Sequence, residues 1–192
     1  MMNRQLIFLF LCSLLVVGLV TGCSPEQAGK PPPVTNGAAT SPQKPVAPTK
    51  PPVAETVPVK VYFGTHNGRY LVAEVSQLKP GPQLMQQALE ILANGPRGNE
   101  LVAVIPKATK VKSVVVRDRM AIADFSAELV KRGFGGSATE ILAVAAIVNT
   151  LTEFPDVERV QILVEGKRVD TLFGHIDVYD PLSRSPGIIK NK

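Results

Sequence analysis

The sequence predicts an α+β fold: a single domain in the order β-β-α-β-β-α-β-β, with helices segregated from strand pairs and packed on one face of one mixed or antiparallel sheet. Three observations carry that expectation. Val57, Val59, Val61 and Phe63 alternate with Pro58, Lys60 and Tyr62, the period of a half-buried strand. Leu84, Ala88, Leu89, Ile91 and Leu92 recur at helical spacing and stop at Asn94-Gly95-Pro96. A third stretch, from Ser137 to about Phe154, is apolar nearly all round, as a buried helix is.

Each element follows from local chemistry. After the first strand, Asn67-Gly68 supplies a turn suited to positive φ, and Tyr70 to Val75 returns as the second strand. Pro80-Gly81-Pro82 punctuates the chain before the helix over Gln83 to Ala93, which Asn or Gly caps and Pro96 prevents from continuing. Beyond Ile105-Pro106, Val111 to Arg117 and Met120 to Phe125 read as an antiparallel hairpin turning at Asp118. Ser126 caps a short helical turn through Val130, and Gly133 to Gly136 breaks it. Ser137-Ala138-Thr139-Glu140 matches a capping box opening the apolar helix. Val160 to Val164 and Arg168 to Phe173, turned at Glu165-Gly166-Lys167, are the last two strands.

The chain flanking this domain has a different character. Arg4 precedes an apolar run from Leu6 to Val20, which is shorter than the ~20 residues a membrane span needs and ends in small residues, the parts of an export signal. From Ser24 to Thr56 prolines recur amid Thr, Ala, Gly and Ser, with no aromatic residue and no apolar period, so the segment buries too little surface to offset its ordering entropy. The expected organisation is a signal over 1–22, a Pro-rich disordered tether over 23–56, the folded domain over 57–180 and a C-terminal tail over 181–192. The net charge of +5 comes from dispersed Lys and Arg with no basic run or aromatic platform, which argues against a nucleic-acid partner.

Residues that could carry chemistry are few. Of two histidines, His66 sits in a turn, and His175 with Asp177 supplies too few ligands for a metal. Asp124 and Glu128 would be the pair to consider for glycan cleavage, which uses two carboxylates ~5–9.5 Å apart. If the side of β-strand 120–125 bearing Met120 and Ile122 is the core, Asp124 needs a bond there, and backbone N–H groups starting at Ser126 are its expected donors. Ser126 lacks the Gly-x-Ser-x-Gly setting, and Gly133-Phe134-Gly135-Gly136 lacks the phosphate-loop pattern. Asn149 and Thr150 interrupt the apolar helix and either bond neighbouring backbone or mark a polar contact at the helix end. No catalytic residue, cofactor or metal site is assigned.

Two resemblances add to this reading. Leu19-Val20-Thr21-Gly22-Cys23 resembles a bacterial lipobox, which implies cleavage before Cys23, lipid on its sulfur, and a chain anchored outside the cytosol. Cys12 then leaves with the signal. Across the domain, Val59-Lys60-Val61-Tyr62-Phe63, Leu92-Ala93-Asn94-Gly95-Pro96, Val104-Ile105-Pro106 with Thr109, Ala123-Asp124-Phe125-Ser126, Ile147-Val148-Asn149-Thr150-Leu151-Thr152 and Val164-Glu165-Gly166-Lys167 together resemble a GerMN domain. That family is similar to the ring-building motifs of envelope-spanning machines. The resemblance implies a protein-interaction or assembly role in sporulation, germination or the cell envelope, with self-association among its forms and no catalytic residues to carry over. The founding member holds two such domains in tandem, and this chain has room for one. A compact peptidoglycan- or ligand-binding lipoprotein is the alternative, and a small cell-wall hydrolase comes third.

Overall fold

The computed structural model describes residues 55–130 and 135–190, all within the unit Thr49–Lys192. The export signal, Cys23, the proline-rich segment, and Gly133 and Phe134 of the glycine-rich loop lie outside the described residues.

The chain opens with a hairpin, β1 (Val57–Thr65) and β2 (Leu71–Leu78), in continuous antiparallel register from Val57↔Leu78 to Gly64↔Leu71. Its turn is closed by Thr65 and Tyr70, with Gly68 at φ +66° and the Asn67 carboxamide oxygen accepting from Arg69 N–H at 3.1 Å. Helix α1 (Leu84–Asn94) buries Ala88, Leu89, Leu92 and Ala93. It ends on Gly95, which takes a positive φ of 89° and donates its N–H to the carbonyls of Ile91 and Leu92. The short β3 (Leu101–Val102) then pairs with the far edge of β1 at Gly64 and Thr65.

A second sheet follows. Strands β4 (Val111–Arg117) and β5 (Met120–Phe125) form the expected hairpin, and Asp118 and Arg119 both take positive φ (48° and 58°) in a two-residue turn of the kind that matches strand twist. After a 3-10 turn at Ala127–Val130, helix α2 (Ser137–Leu151) carries the chain over to β6 (Arg159–Val164), which runs parallel to β5. Glu165 and Gly166, at φ 52° and 74°, turn β6 into the two-residue β7 (Lys167–Arg168). A last short strand, β8 (Leu182–Ser183), pairs with β6.

The α+β class holds, but the strands divide between two sheets where one was expected. The break falls after β3. Val104 and Ile105 turn into the core there, 1% and 0% exposed, and Pro106 follows without an N–H to donate. The helices are accordingly shared: α1 packs against α2, β1, β2 and β4, and α2 against β1 and β6. As expected, α2 is buried over almost its whole circumference. Among the described residues no helix is long and apolar enough to cross a membrane.

A second correction concerns the end of the chain. Residues 181–190, expected as a tail, are part of the domain: β8 extends the sheet, Leu182, Ile188 and Ile189 pack on the core, and Lys190 N–H donates to Leu71 C=O at 2.8 Å. The segment is too short and too broken by Pro181 and Pro186 to show a period, so its packing left no pattern in the sequence.

One close approach is testable. A Cβ on Gly64 would lie 2.7 Å from Cγ1 of Val104, a buried side chain with a stiff χ1. Gly64→Ala should lower stability by about 1–3 kcal/mol through overpacking. An unchanged urea midpoint would mean that Val104 yields without cost.

Candidate functional site

The polar side chains with catalytic potential are held in bonds that fasten the fold. Asp124 Oδ1 accepts the Gly166 N–H at 2.8 Å. It does not take donors from the 126 turn as expected; Ser126 N–H goes to Lys110 C=O at 2.9 Å, and Ser126 Oγ accepts from Lys110 N–H at 3.0 Å. The reason lies in register: β5 and β6 are adjacent and parallel, so the turn leaving β6 arrives beside Asp124 and Phe125. Glu165 completes the joint. Its N–H donates to Phe125 C=O, its Oε1 accepts from Ala127 N–H at 2.9 Å, and its Oε2 meets Lys112 Nζ at 2.7 Å. The Lys112 ammonium and the Ala127 amide hold the Glu165 carboxyl below its ordinary range, and Glu165 in turn raises Lys112. The Ala123–Ser126 and Val164–Lys167 segments, far apart in sequence, are thus two halves of one joint.

Glu140 departs furthest from expectation. No side chain caps α2, whose N-cap is Gly136, so the capping box does not form. Instead Glu140 is fully buried and reaches away from its helix end to accept the N–H groups of Leu172 (2.9 Å), Phe173 (2.8 Å) and His175 (2.8 Å), with His175 Nδ1 at 3.0 Å. Burial pushes its carboxyl up, but these donors outweigh burial and hold it below the ordinary value. His175 and Asp177 do not converge: Asp177 Oδ1 accepts the Tyr179 N–H, while His175 faces Glu140. His66 Nε2 lies 2.6 Å from the Asn99 carbonyl oxygen. Among the described residues no cluster of three or more His, Cys, Asp or Glu could hold a metal ion.

A third knot was not legible in the sequence. Tyr62, placed by its alternation on the polar side of β1, is 2% exposed. Its hydroxyl donates to Glu153 Oε1 at 2.7 Å and accepts from Arg184 Nη2 at 2.7 Å. Arg184 also bonds Glu153 directly and lies over the Tyr62 ring, 5.4 Å from its centroid. Lys60 stands 3.4 Å from Glu153 Oε2. Burial, then the bond to Glu153, raises the Tyr62 hydroxyl; the Glu153 carboxyl is pushed up by burial but held low by its bonds to Tyr62 and Arg184. Asn149 and Thr150, near the end of α2, take part in the same region. Thr150 Oγ1 accepts the Tyr62 N–H at 3.2 Å, and the Asn149 carboxamide exchanges two bonds with the Ser185 backbone, at 3.1 and 2.9 Å.

With those groups engaged, the surface offering itself to a partner is the β4–β5 part of the outer face of the five-stranded sheet; over β6 that face is covered, where Gln161 is buried and donates to Tyr179 C=O at 3.1 Å. Ala121, Ala123 and Phe125 of β5 turn inward, all fully buried, so Met120, Ile122 and Asp124 look outward. Pairing sets three rows across that face: Arg117–Met120–Arg159, Val115–Ile122–Gln161 and Ser113–Asp124–Leu163. Val115 is 45% exposed beside partly exposed Ile122, and β4 is the outer strand, its far edge unpaired among the described residues. The signal for this surface was present in the run Val114-Val115-Val116, but which strand would be outermost was not.

Comparison with known proteins bears on this arrangement. A family described as "Germane: Sporulation and spore germination" matches residues 60–170. The chain is 31% identical over 141 residues to the spore germination protein GerM of Bacillus subtilis, a match covering 70% of this chain and 37% of that protein. It superposes on the solved structure of the tandem GerMN domains of that protein with TM-score 0.58 at 29% identity, over 67% of this chain and 46% of the other. Against the first of those domains alone the TM-score is 0.58 at 32% identity, over 67% of this chain and 98% of the domain. A Clostridium perfringens protein provisionally described as a lipoprotein superposes with TM-score 0.51 at 25% identity, over 73% and 97% of the two chains. The chain therefore spans well under half the length of its curated relative, and the equivalent of one domain of the tandem.

Proposed function

This chain belongs to the Germane family of sporulation and spore germination proteins, and from that premise we propose that it is an extracytoplasmic lipoprotein, anchored by lipid on Cys23, whose GerMN domain is a non-catalytic module for binding protein partners. Its place is in sporulation, germination or the organisation of the cell envelope. The observation that carries the interaction role is the open outer sheet face, where the apolar pair Val115 and Ile122 runs out to the unpaired edge of β4. The anchor reading is supported by the run Leu19 to Cys23 and by the likeness to a protein described provisionally as a lipoprotein. Two acyl chains hold a protein durably where one does so only marginally.

Expression of the full chain in a spore-forming host with radiolabelled palmitate tests the anchor, and crosslinking in the intact envelope tests the interaction role. The label should enter the parent chain and be lost in Cys23→Ala, and crosslinking should capture defined protein bands. An unlabelled parent chain retaining its leader would remove the anchor. Hydrolysis of purified wall material that disappears in Asp124→Asn would replace the binding role with a catalytic one.

A further inference from the structure

We propose that the free edge of β4 is a self-recognition surface, on which a second copy of this chain adds its own β4 antiparallel across a two-fold axis, with Val115 facing Val115. The inference rests on the interaction-module reading and names the partner.

The hydrogen-bonding parity of β4 sets the allowed registers. The two-residue turn at Asp118-Arg119 makes Arg117↔Met120 a hydrogen-bonded pair. Arg117, Val115 and Ser113 therefore direct their N–H and C=O groups to β5, while Val116 and Val114 direct theirs to the open edge. A two-fold axis perpendicular to the sheet requires a residue to face its own copy. Centred on Val115, Val114 of each copy forms a hydrogen-bonded pair with Val116 of the other, and Ser113 faces Arg117. The bulge between Val111 and Ser113, which carries Lys112, stays outside this five-residue stretch.

Side-chain chemistry selects that register from its neighbours. On the outer face the central row becomes Ile122–Val115–Val115–Ile122, one continuous apolar line across the axis. The flanking rows become Met120–Arg117–Ser113–Asp124, so the small Ser113 of one copy lies between the Arg117 of the other and its own Asp124. Two strand spacings, about 9.6 Å, separate those backbones, within the combined reach of an arginine and an aspartate. Centring on Val114 would put Val115 against Ser113 and Val116 against Lys112 of the bulge. Centring on Val116 would put Val115 against Arg117, and centring on Arg117 would oppose like charges.

An edge of this length buries less than the roughly 1,200 Å² of a stable interface. The pairing is therefore weak in dilute solution and depends on the high local concentration that a shared membrane provides.

Disulfide trapping tests it in the full chain in host membranes. A non-hydrogen-bonded pair places its Cα atoms about 4.5 Å apart, inside the range for a disulfide, so Val115→Cys should give a dimer on mild oxidation, several-fold above the parent chain with its native Cys12 and Cys23. Ile122→Cys, three strand spacings or about 14 Å from its copy, should stay at background. Adding Arg117→Glu to Val115→Cys should cut the dimer by more than half, since Arg117 would otherwise approach Asp124. Equal yields at positions 115 and 122, or a Val115→Cys product containing only a different protein, would overturn the proposal. Palmitate counted in the same lanes separates the two readings. A labelled chain that does not crosslink keeps the anchor and loses the pairing, and an unlabelled chain that crosslinks does the reverse.

Discussion

Replacing Glu140 by Gln should lower the unfolding free energy by about 3 kcal/mol and flatten its dependence on acid. The carboxylate is fully buried and accepts three backbone N–H groups, with His175 Nδ1 beside it. A carboxamide offers one acceptor oxygen and turns an NH₂ group toward N–H donors, leaving at least one of them buried without a partner. Hydrogen bonds to charged groups contribute about 1.5–3 kcal/mol each to stability, so the loss is at the upper end of single substitutions. The sign of the pH effect follows from the direction of the shift. The folded carboxyl lies below its ordinary value of 4.5, so its stabilisation is complete above that value and is lost as pH falls through the folded pKa. The parent should weaken steeply on that acid limb and Glu140→Gln less so, with Glu153 and Glu165 contributing to the slope that remains in both. Urea unfolding followed by circular dichroism between about pH 3 and pH 7 measures both effects. His175→Ala, which removes one of the four groups around the carboxylate, should cost only about 1 kcal/mol. If the two variants cost the same, the backbone clamp on 172–175 is not what Glu140 provides.

Truncation after Asp180 should be more damaging still, by about 4–6 kcal/mol or to the point of no cooperative transition, summing the losses below. The cut removes β8 and the packing of Leu182, Ile188 and Ile189. It strips the fully buried Asn149 of both bonds to Ser185 and leaves Glu153 beside Tyr62 without Arg184. Arg184→Ala isolates the ionic part and should cost about 2 kcal/mol, because a carboxylate whose side chain is 18% exposed keeps some solvent. A truncated domain melting within a few degrees of the parent would return residues 181–190 to the status of a tail.

These two results concern the positions where sequence and structure part company. The β1–β2 and β4–β5 pairs, β6, both helices and the turns at Gly68, Asp118-Arg119 and Glu165-Gly166 were readable because period and turn chemistry act within a few residues. The strand expected over Arg168 to Phe173, by contrast, shrinks to the two residues of β7. Glu140 was misassigned for the same reason. Ser137-Ala138-Thr139-Glu140 satisfies a local rule, and the rule loses to donors 32 to 35 residues away. Tyr62 followed the polar phase of β1 but is buried, since its partners Glu153 and Arg184 lie 91 and 122 residues further on. Asp124 needs a buried donor only if the Met120 and Ile122 side is the core; that side faces outward, and its Gly166 donor has no signal in the sequence. That donor comes from a turn that parallel pairing of β5 with β6 brings alongside.

Sequence by itself determined the α+β class, the element order and the family, because apolar periodicity, glycine and proline placement and ordered short motifs are properties of neighbouring residues. Tertiary structure alone decided that the strands form two sheets, that the last residues belong to the core, and that β4 lies at an edge of its sheet among the described residues. Those outcomes depend on which distant backbones compete for the same hydrogen bonds and the same buried area, and that competition is settled only when the whole chain packs.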